Sequence, residues 1–205
     1  LKVIGGIVRT NIVLTQSINI TAMNLVFNER QILLEKFEGL VGSGNIHGSG
    51  KIDIKNMSVA GIEMILEFKE VRHALIPDFN SMIDGTLIFQ TNNKSRRLTG
   101  EIDIKKGKYE KRIDMTRWLI EARKITSAQR PAKASNDVSL NIHFYGKDGI
   151  WINNNIAKIP LELDLYLKGS VNRPVLLGRI DASDGSVFFR GNEFNVKSGT
   201  VDFLD

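Results

Sequence analysis

The chain has 205 residues, a net charge of +5 and no cysteine, which excludes disulfides, thiolate metal sites and a cysteine nucleophile. Hydrophobic residues make up 42% and charged residues 25%, a balance that excludes both a disordered chain and a helical membrane protein. No run approaches the roughly 18 consecutive apolar residues of a membrane-spanning helix, and the start carries no signal-peptide pattern. A first residue Leu1 and an unfinished alternation Gly199-Thr200-Val201-Asp202-Phe203 before Asp205 lead us to expect a piece of a larger protein.

Taken along the chain, apolar residues recur at every second position, the signature of half-buried strands. The pattern is carried by Ile12/Leu14, Ile18/Ile20, Ile52/Ile54, Ile62/Met64/Leu66/Phe68, Leu87/Phe89 and Ile102/Ile104. Turn-forming residues fall between and beside these runs at Asn28-Glu29-Arg30, Asp84-Gly85, Asn92-Asn93 and Lys106-Gly107. One interruption has a helical period: Met115, Trp118, Leu119 and Ala122, with Asp114 as N-cap and Arg123/Lys124 in the last turn. A polar loop from Ser127 to Asn136 follows, so residues 112–136 are expected to form a helix-plus-loop insertion in one continuous β unit spanning 1–205. Val138, Leu140, Ile142 and Phe144 then resume the alternation, and Lys147-Asp148-Gly149 reads as a hairpin turn. Leu161, Leu163, Leu165 and Leu167 alternate strictly with Glu162, Asp164, Tyr166 and Lys168. Beyond them come turn signals at Asn153-Asn154-Asn155, Asp184-Gly185 and Gly191-Asn192, and the apolar pair Phe194/Val196. Short turns of this kind favour antiparallel neighbours, because parallel strands need a long crossover.

Three segments share a local pattern: Gly50-Lys51-Ile52-Asp53, Gly100-Glu101-Ile102-Asp103 and Gly178-Arg179-Ile180-Asp181. The second and third each reach a further glycine, Gly107 and Gly185, so the similarity reads as a duplicated hairpin with insertions of variable length. Three aspartates could form a carboxylate or calcium constellation. Each stands beside an apolar-face isoleucine, however, and the simpler reading is an outward, solvated residue that discourages wrong strand pairing.

Little else suggests chemistry. His47, His73 and His143 have no second ligand type at zinc-like spacing, so neither a metal nor a cofactor is expected. The glycines at Gly42-Ser43-Gly44 and Gly48-Ser49-Gly50 precede no helix and read as places where strands bend or pack closely. Between Lys94 and Lys133 there are 13 Lys/Arg against 5 Asp/Glu. Such an excess attracts nucleic acid or anionic headgroups, but Tyr109 and Trp118 are its only aromatics, and nucleic acid is not expected as a partner. A membrane-surface helix or a helix packed over the sheet are the other readings of this segment.

Many one-sided apolar strands and a single short helix leave the apolar faces without enough cover. Sheet must face sheet, as in a sandwich, or a folded sheet must enclose a trough open to an aliphatic guest; periodicity does not separate the two. The series Leu165-Tyr166-Leu167-Lys168-Gly169-Ser170, Arg173-Pro174-Val175-Leu176-Leu177-Gly178-Arg179-Ile180, Asp184-Gly185-Ser186-Val187-Phe188-Phe189, Phe194-Asn195-Val196 and Ser198-Gly199-Thr200-Val201-Asp202-Phe203 resembles the C-terminal domain of the TamB family, within the wider AsmA-like group. It covers residues 138–205 well; upstream the likeness is one of style.

The resemblance implies an all-β, taco-like, mostly antiparallel sheet with an apolar interior groove, in a periplasmic protein of a diderm bacterium. It further implies an N-terminal inner-membrane anchor outside these residues and an Omp85-type, TamA-like partner at the outer membrane. The implied role is non-catalytic: phospholipid transport between the membranes and support of outer-membrane protein assembly or secretion. Acyl chains would then lie along Val138, Leu140, Ile142, Phe144, Leu161, Leu163, Leu165, Leu167, Ile102, Ile104 and Ile180. The rival readings are a scaffold or chaperone for outer-membrane barrels, acting through its strand edges, and a polysaccharide-active β-solenoid enzyme. The second requires clustered aromatics and carboxylates on an outer face, and the sequence shows no such cluster.

Overall fold

Alternating apolar residues give the longer strands one apolar and one polar side, and hydrogen bonding unites the described strands in a 12-stranded sheet. The computed structural model describes residues 2–3, 6–9, 17–92, 95–114 and 137–204. The strands are β1 (Lys2–Val3), β2 (Gly6–Arg9), β3 (Ser17–Phe27), β4 (Gln31–Val41), β5 (Gly44–Lys55), β6 (Ser58–Ile76), β7 (Phe79–Asn92), β8 (Arg96–Tyr109), β9 (Ser139–Asn153), β10 (Ala157–Ser170), β11 (Arg173–Phe189) and β12 (Asn192–Phe203). From β3 onward each strand lies beside its chain neighbours, and β1 and β2 both pair with β3. The expected all-β, mostly antiparallel sheet is therefore what the chain forms. The Ile12/Leu14 strand and all but the first three residues of the helix-plus-loop insertion expected over 112–136 lie outside the described residues.

One pair departs from the antiparallel rule. β8 and β9 run parallel, with Ile102 opposite Phe144 and Leu98 opposite Leu140. Parallel neighbours require the chain to return to the end it started from, and the segment after Tyr109 makes that return. Its outgoing end is fixed by Asn155, whose side-chain amide donates to the Ile113 carbonyl and accepts from the Ile113 N–H. Its returning end is fixed at the opposite end of the sheet, where the Val171 N–H donates to the Val138 carbonyl. There the Asp137 carboxylate accepts from the Asn172 backbone N–H and side-chain amide.

Four of the expected turns are not turns. Asp84-Gly85, Lys106-Gly107, Lys147-Asp148-Gly149 and Asp184-Gly185 lie inside β7, β8, β9 and β11, which are 14 to 17 residues long. Each sits at or beside a slip in register. Phe68 faces Gly85 but Val71 faces Ile83; Asp103 faces Tyr145 but Gly107 faces Ile150; Lys158 faces Ser186 but Leu161 faces Ala182. Such an extra residue bends its strand and sharpens its twist. Because the slips pass from strand to strand between β6 and β11, they form a crease, and the sheet folds along it in the taco-like manner. The repeated Gly-x-Ile-Asp pattern is accordingly a repeated bulged strand, not a duplicated hairpin.

The glycine of that pattern has a steric cause. Gly100 and Gly178 adopt φ of 149° and 113°, a region that L side chains rarely enter. A Cβ at Gly100 would overlap the Thr86 carbonyl oxygen, and one at Gly178 the Asp164 carbonyl oxygen. The accompanying aspartates face outward into polar pairs: Asp53 accepts from Gln31 of the neighbouring strand at 3.0 Å, Asp103 pairs with Lys105 of its own strand at 2.5 Å, and Asp181 accepts from Thr200 of the neighbouring strand at 2.7 Å. They are too separate to form one constellation. Genuine turns behave as their residues require: Asn56 and Met57, both at positive φ, join β5 to β6 in the two-residue form suited to a hairpin.

The apolar side of the folded sheet is its core. Ile46 and Ile150 are 0% exposed, and Val41, Val71, Ile83, Leu87, Ile102, Ile104 and Ile142 join them in one cluster with Ile18 and Phe68. Large and small residues alternate across neighbouring strands. A Cβ on Gly85 would meet the Phe68 ring at 3.0 Å, and one on Gly48 the Phe37 ring at 3.2 Å, so the aromatic rings occupy space that the glycines leave.

A candidate apolar ligand face

The expected lining residues stand on the same side of the sheet, and the register shows how they meet. Leu165 lies between Phe144 and Gly178, Leu163 between Gly146 and Ile180, and Leu167 between Ile142 and Leu176. Phe144 in turn faces Ile102, and Leu140 faces Leu98. Directly opposed residues on adjacent strands share a face, with Cβ atoms about 5 Å apart. The rows therefore run unbroken across the strands, from Phe68 through Gly85, Ile102, Phe144, Leu165 and Gly178 to Phe203.

Cover is uneven along these rows. Ile102, Ile104 and Ile142 are buried in the core cluster, while Phe144, Leu161, Leu163 and Leu167 pack against it half-buried. Leu140, Leu165, Ile180 and Val138 are also half-buried, the last just before β9 begins. Further along, Leu176 is 38% and Val201 55% exposed. The face thus changes from a closed core around β4–β9 to an uncovered aliphatic surface at β10–β12. Of the expected residues, Ile102, Ile104 and Ile142 belong to the closed part, and the leucine row with Ile180 to its opening.

The opposite face is polar and held by cross-strand pairs, among them Lys51–Glu63 at 3.2 Å and Arg179–Asp202 at 2.7 Å. Glu63 ionises below the ordinary carboxylate range because Gln90 and then Lys51 bond to it. Among the described residues, no group of three or more His, Cys, Asp or Glu is placed to hold a metal ion. No helix there is long and apolar enough to cross a membrane.

A feature the sequence hid lies on this outer face. His143 Nε2 meets Asp164 Oδ1 at 2.7 Å, and its ring stacks on Tyr166 with centroids 4.3 Å apart and planes 5° from parallel. The Tyr145 ring is 5.0 Å from that of His143. Burial pushes the Tyr145 hydroxyl above its usual range, and Asp103 and Glu101 push it further. His143 and Tyr166 are far apart in sequence and meet because β9 pairs with β10; the one sequence signal was the alternation that put all three on polar sides.

A single creased sheet, apolar within and polar without, closed along part of its length and open along the rest, defines a taco-like β-sheet protein. Residues 35–205 match the model of the family described as the TamB C-terminal domain, and the chain belongs to that family. The match reaches well upstream of the resemblance carried by residues 138–205, and takes in the Gly50 and Gly100 copies of the repeat. Membership places the protein in the envelope of a diderm bacterium, in outer-membrane biogenesis alongside an outer-membrane partner. No curated protein and no solved structure matched the chain.

Proposed function

We propose that the apolar face is a conduit for the acyl chains of phospholipids passing between inner and outer membranes, in a protein that performs no chemistry. The observation that carries this reading is the emergence of the core rows, through the half-buried Leu163, Leu165 and Ile180, into the exposed surface at Leu176 and Val201. Each methylene withdrawn from water there contributes about 0.8 kcal/mol. Because successive rows present similar aliphatic surfaces, a chain slides from one to the next without a large energetic step. The polar face and the rim keep headgroups solvated. Movement of this kind needs an inner-membrane anchor and an Omp85-type partner to set its two ends.

The test is transfer of a fluorescent phospholipid between donor and acceptor vesicles by the protein. Leu165→Arg sets a charge across the path and is expected to reduce transfer at least tenfold; Glu162→Arg, on the other face, is expected to leave it unchanged. Equal rates would refute the conduit.

A further inference from the structure

The apolar face has two margins, where the strands end, and they close differently. At one margin the apolar-side row runs Phe79, Tyr109, Ile152 and Ile159 across β7 to β10 and carries no charge. At the other it runs Ile32, Ile52, Ile62, Thr91 and Arg96 across β4 to β8. Arg96 stands two residues before Leu98, whose side chain packs against the core cluster, and positions two apart on a strand share a face. A guanidinium therefore stands on the apolar side, at its open margin. Its neighbour Arg97 is on the polar side, in a row with Ser139, Ser170 and Arg173.

Arg96 is exposed and, among the described residues, forms no ion pair. The Ser139 hydroxyl donates to its carbonyl at 3.1 Å, which ties its backbone to β9 and leaves the guanidinium unengaged. Asp137, the acidic residue just before β9 at this margin, accepts instead from the Asn172 amide at 3.0 Å. The planar fork of a guanidinium matches the oxygens of a phosphate and binds them in pairs. From Arg96 the same face continues through Leu98 and Gly100 to Ile102, with Leu140 opposite Leu98. At about 3.3 Å per residue, Ile102 is about 20 Å from Arg96, while the hydrocarbon of one bilayer leaflet is about 15 Å deep, half of the membrane core. An acyl chain whose phosphate sits at Arg96 therefore lies wholly on apolar surface and ends near the closed core.

We propose that Arg96 binds the phosphate of the lipid headgroup and so fixes how a phospholipid lies on the apolar face, with its phosphate at the β8 margin and its acyl chains toward Ile102. This assignment rests on the conduit reading. The test compares two fluorescent lipids labelled on the same acyl chain, phosphatidylglycerol and diacylglycerol, in transfer between vesicles by the whole chain. Arg96→Gln is expected to slow phosphatidylglycerol transfer at least fivefold and to leave diacylglycerol transfer unchanged, because only the first lipid has a phosphate. Arg96→Lys, which keeps the charge and loses the fork, is expected to restore part of the rate. Arg97→Gln, on the polar side, is expected to change neither. Equal slowing of both lipids by Arg96→Gln, slowing of neither, or the same phosphatidylglycerol loss in Arg97→Gln would overturn the assignment and leave the conduit standing, the last by showing that charge acts there without regard to face. Transfer of neither lipid by the unaltered protein would refute the conduit, and the assignment with it.

Discussion

Gly178 of β11 lies directly opposite Leu165 of β10, and it lacks a side chain because the Asp164 carbonyl oxygen occupies the place where a Cβ would stand. The close approach that excludes a side chain from Gly178 also leaves the Leu165 side chain room on the apolar face. Curvature and apolar surface are thus one arrangement.

Gly178→Ala and Gly100→Ala are each expected to destabilise the sheet by about 2–4 kcal/mol, combining strain at positive φ with backbone overlap. Gly199→Ala is the control. It has no unusual φ, and the nearest atom to its Cβ is that of Ala182 at 3.9 Å, so a change within about 0.5 kcal/mol is expected. Urea denaturation of the three variants measures the difference, and similar midpoints would mean that the crease does not depend on these glycines.

Cover along the apolar face gives a second expectation. Ile46→Ala and Ile150→Ala remove fully buried side chains and are expected to cost about 2–5 kcal/mol each. Leu176→Ala, at a side chain already 38% exposed, should cost under about 1 kcal/mol. A comparable loss at Leu176 would show that something covers the β10–β12 surface in solution.

Asp137 supplies a pH dependence. Its carboxyl is held below the ordinary range by bonds from the Ser170 hydroxyl first, then from the Asn172 and Val138 N–H groups and the Asn172 amide. A group with a depressed folded-state pKa contributes stability that is present above the unfolded carboxylate value of about 3.9 and lost as pH falls through the folded value. Asp137→Asn is therefore expected to lower stability at pH 7, where the ionised carboxylate contributes fully, and to flatten the acid limb of the stability curve below about pH 4. NMR titration of the Asp137 side-chain carbon reads the shift directly, and a midpoint at or above the ordinary value would contradict the assignment.

Much of this architecture was legible in the residues. The leucine row from Leu161 to Leu167 declares its face by strict alternation, and strand pairing brings it against Ile142, Phe144 and Ile180. Asp84-Gly85 and Asp184-Gly185 misled because the backbone shapes that close a hairpin also serve a bulge, and local composition does not distinguish them. The parallel β8–β9 pair was hidden because its direction is set by a chain return far longer than any turn. His143, Tyr145 and Tyr166 showed only as polar-side residues; their contact depends on register, and register in turn depends on the slip between Leu161 and Leu163.

The central claim concerns what lies against Leu165. A photoreactive residue placed there in the full-length protein in its native envelope, with Glu162 on the opposite face as the reference position, captures whatever the apolar face holds, and mass spectrometry identifies the adduct. The conduit requires phospholipid adducts at position 165 and none at 162; protein adducts alone, or equal lipid capture at both positions, would contradict it.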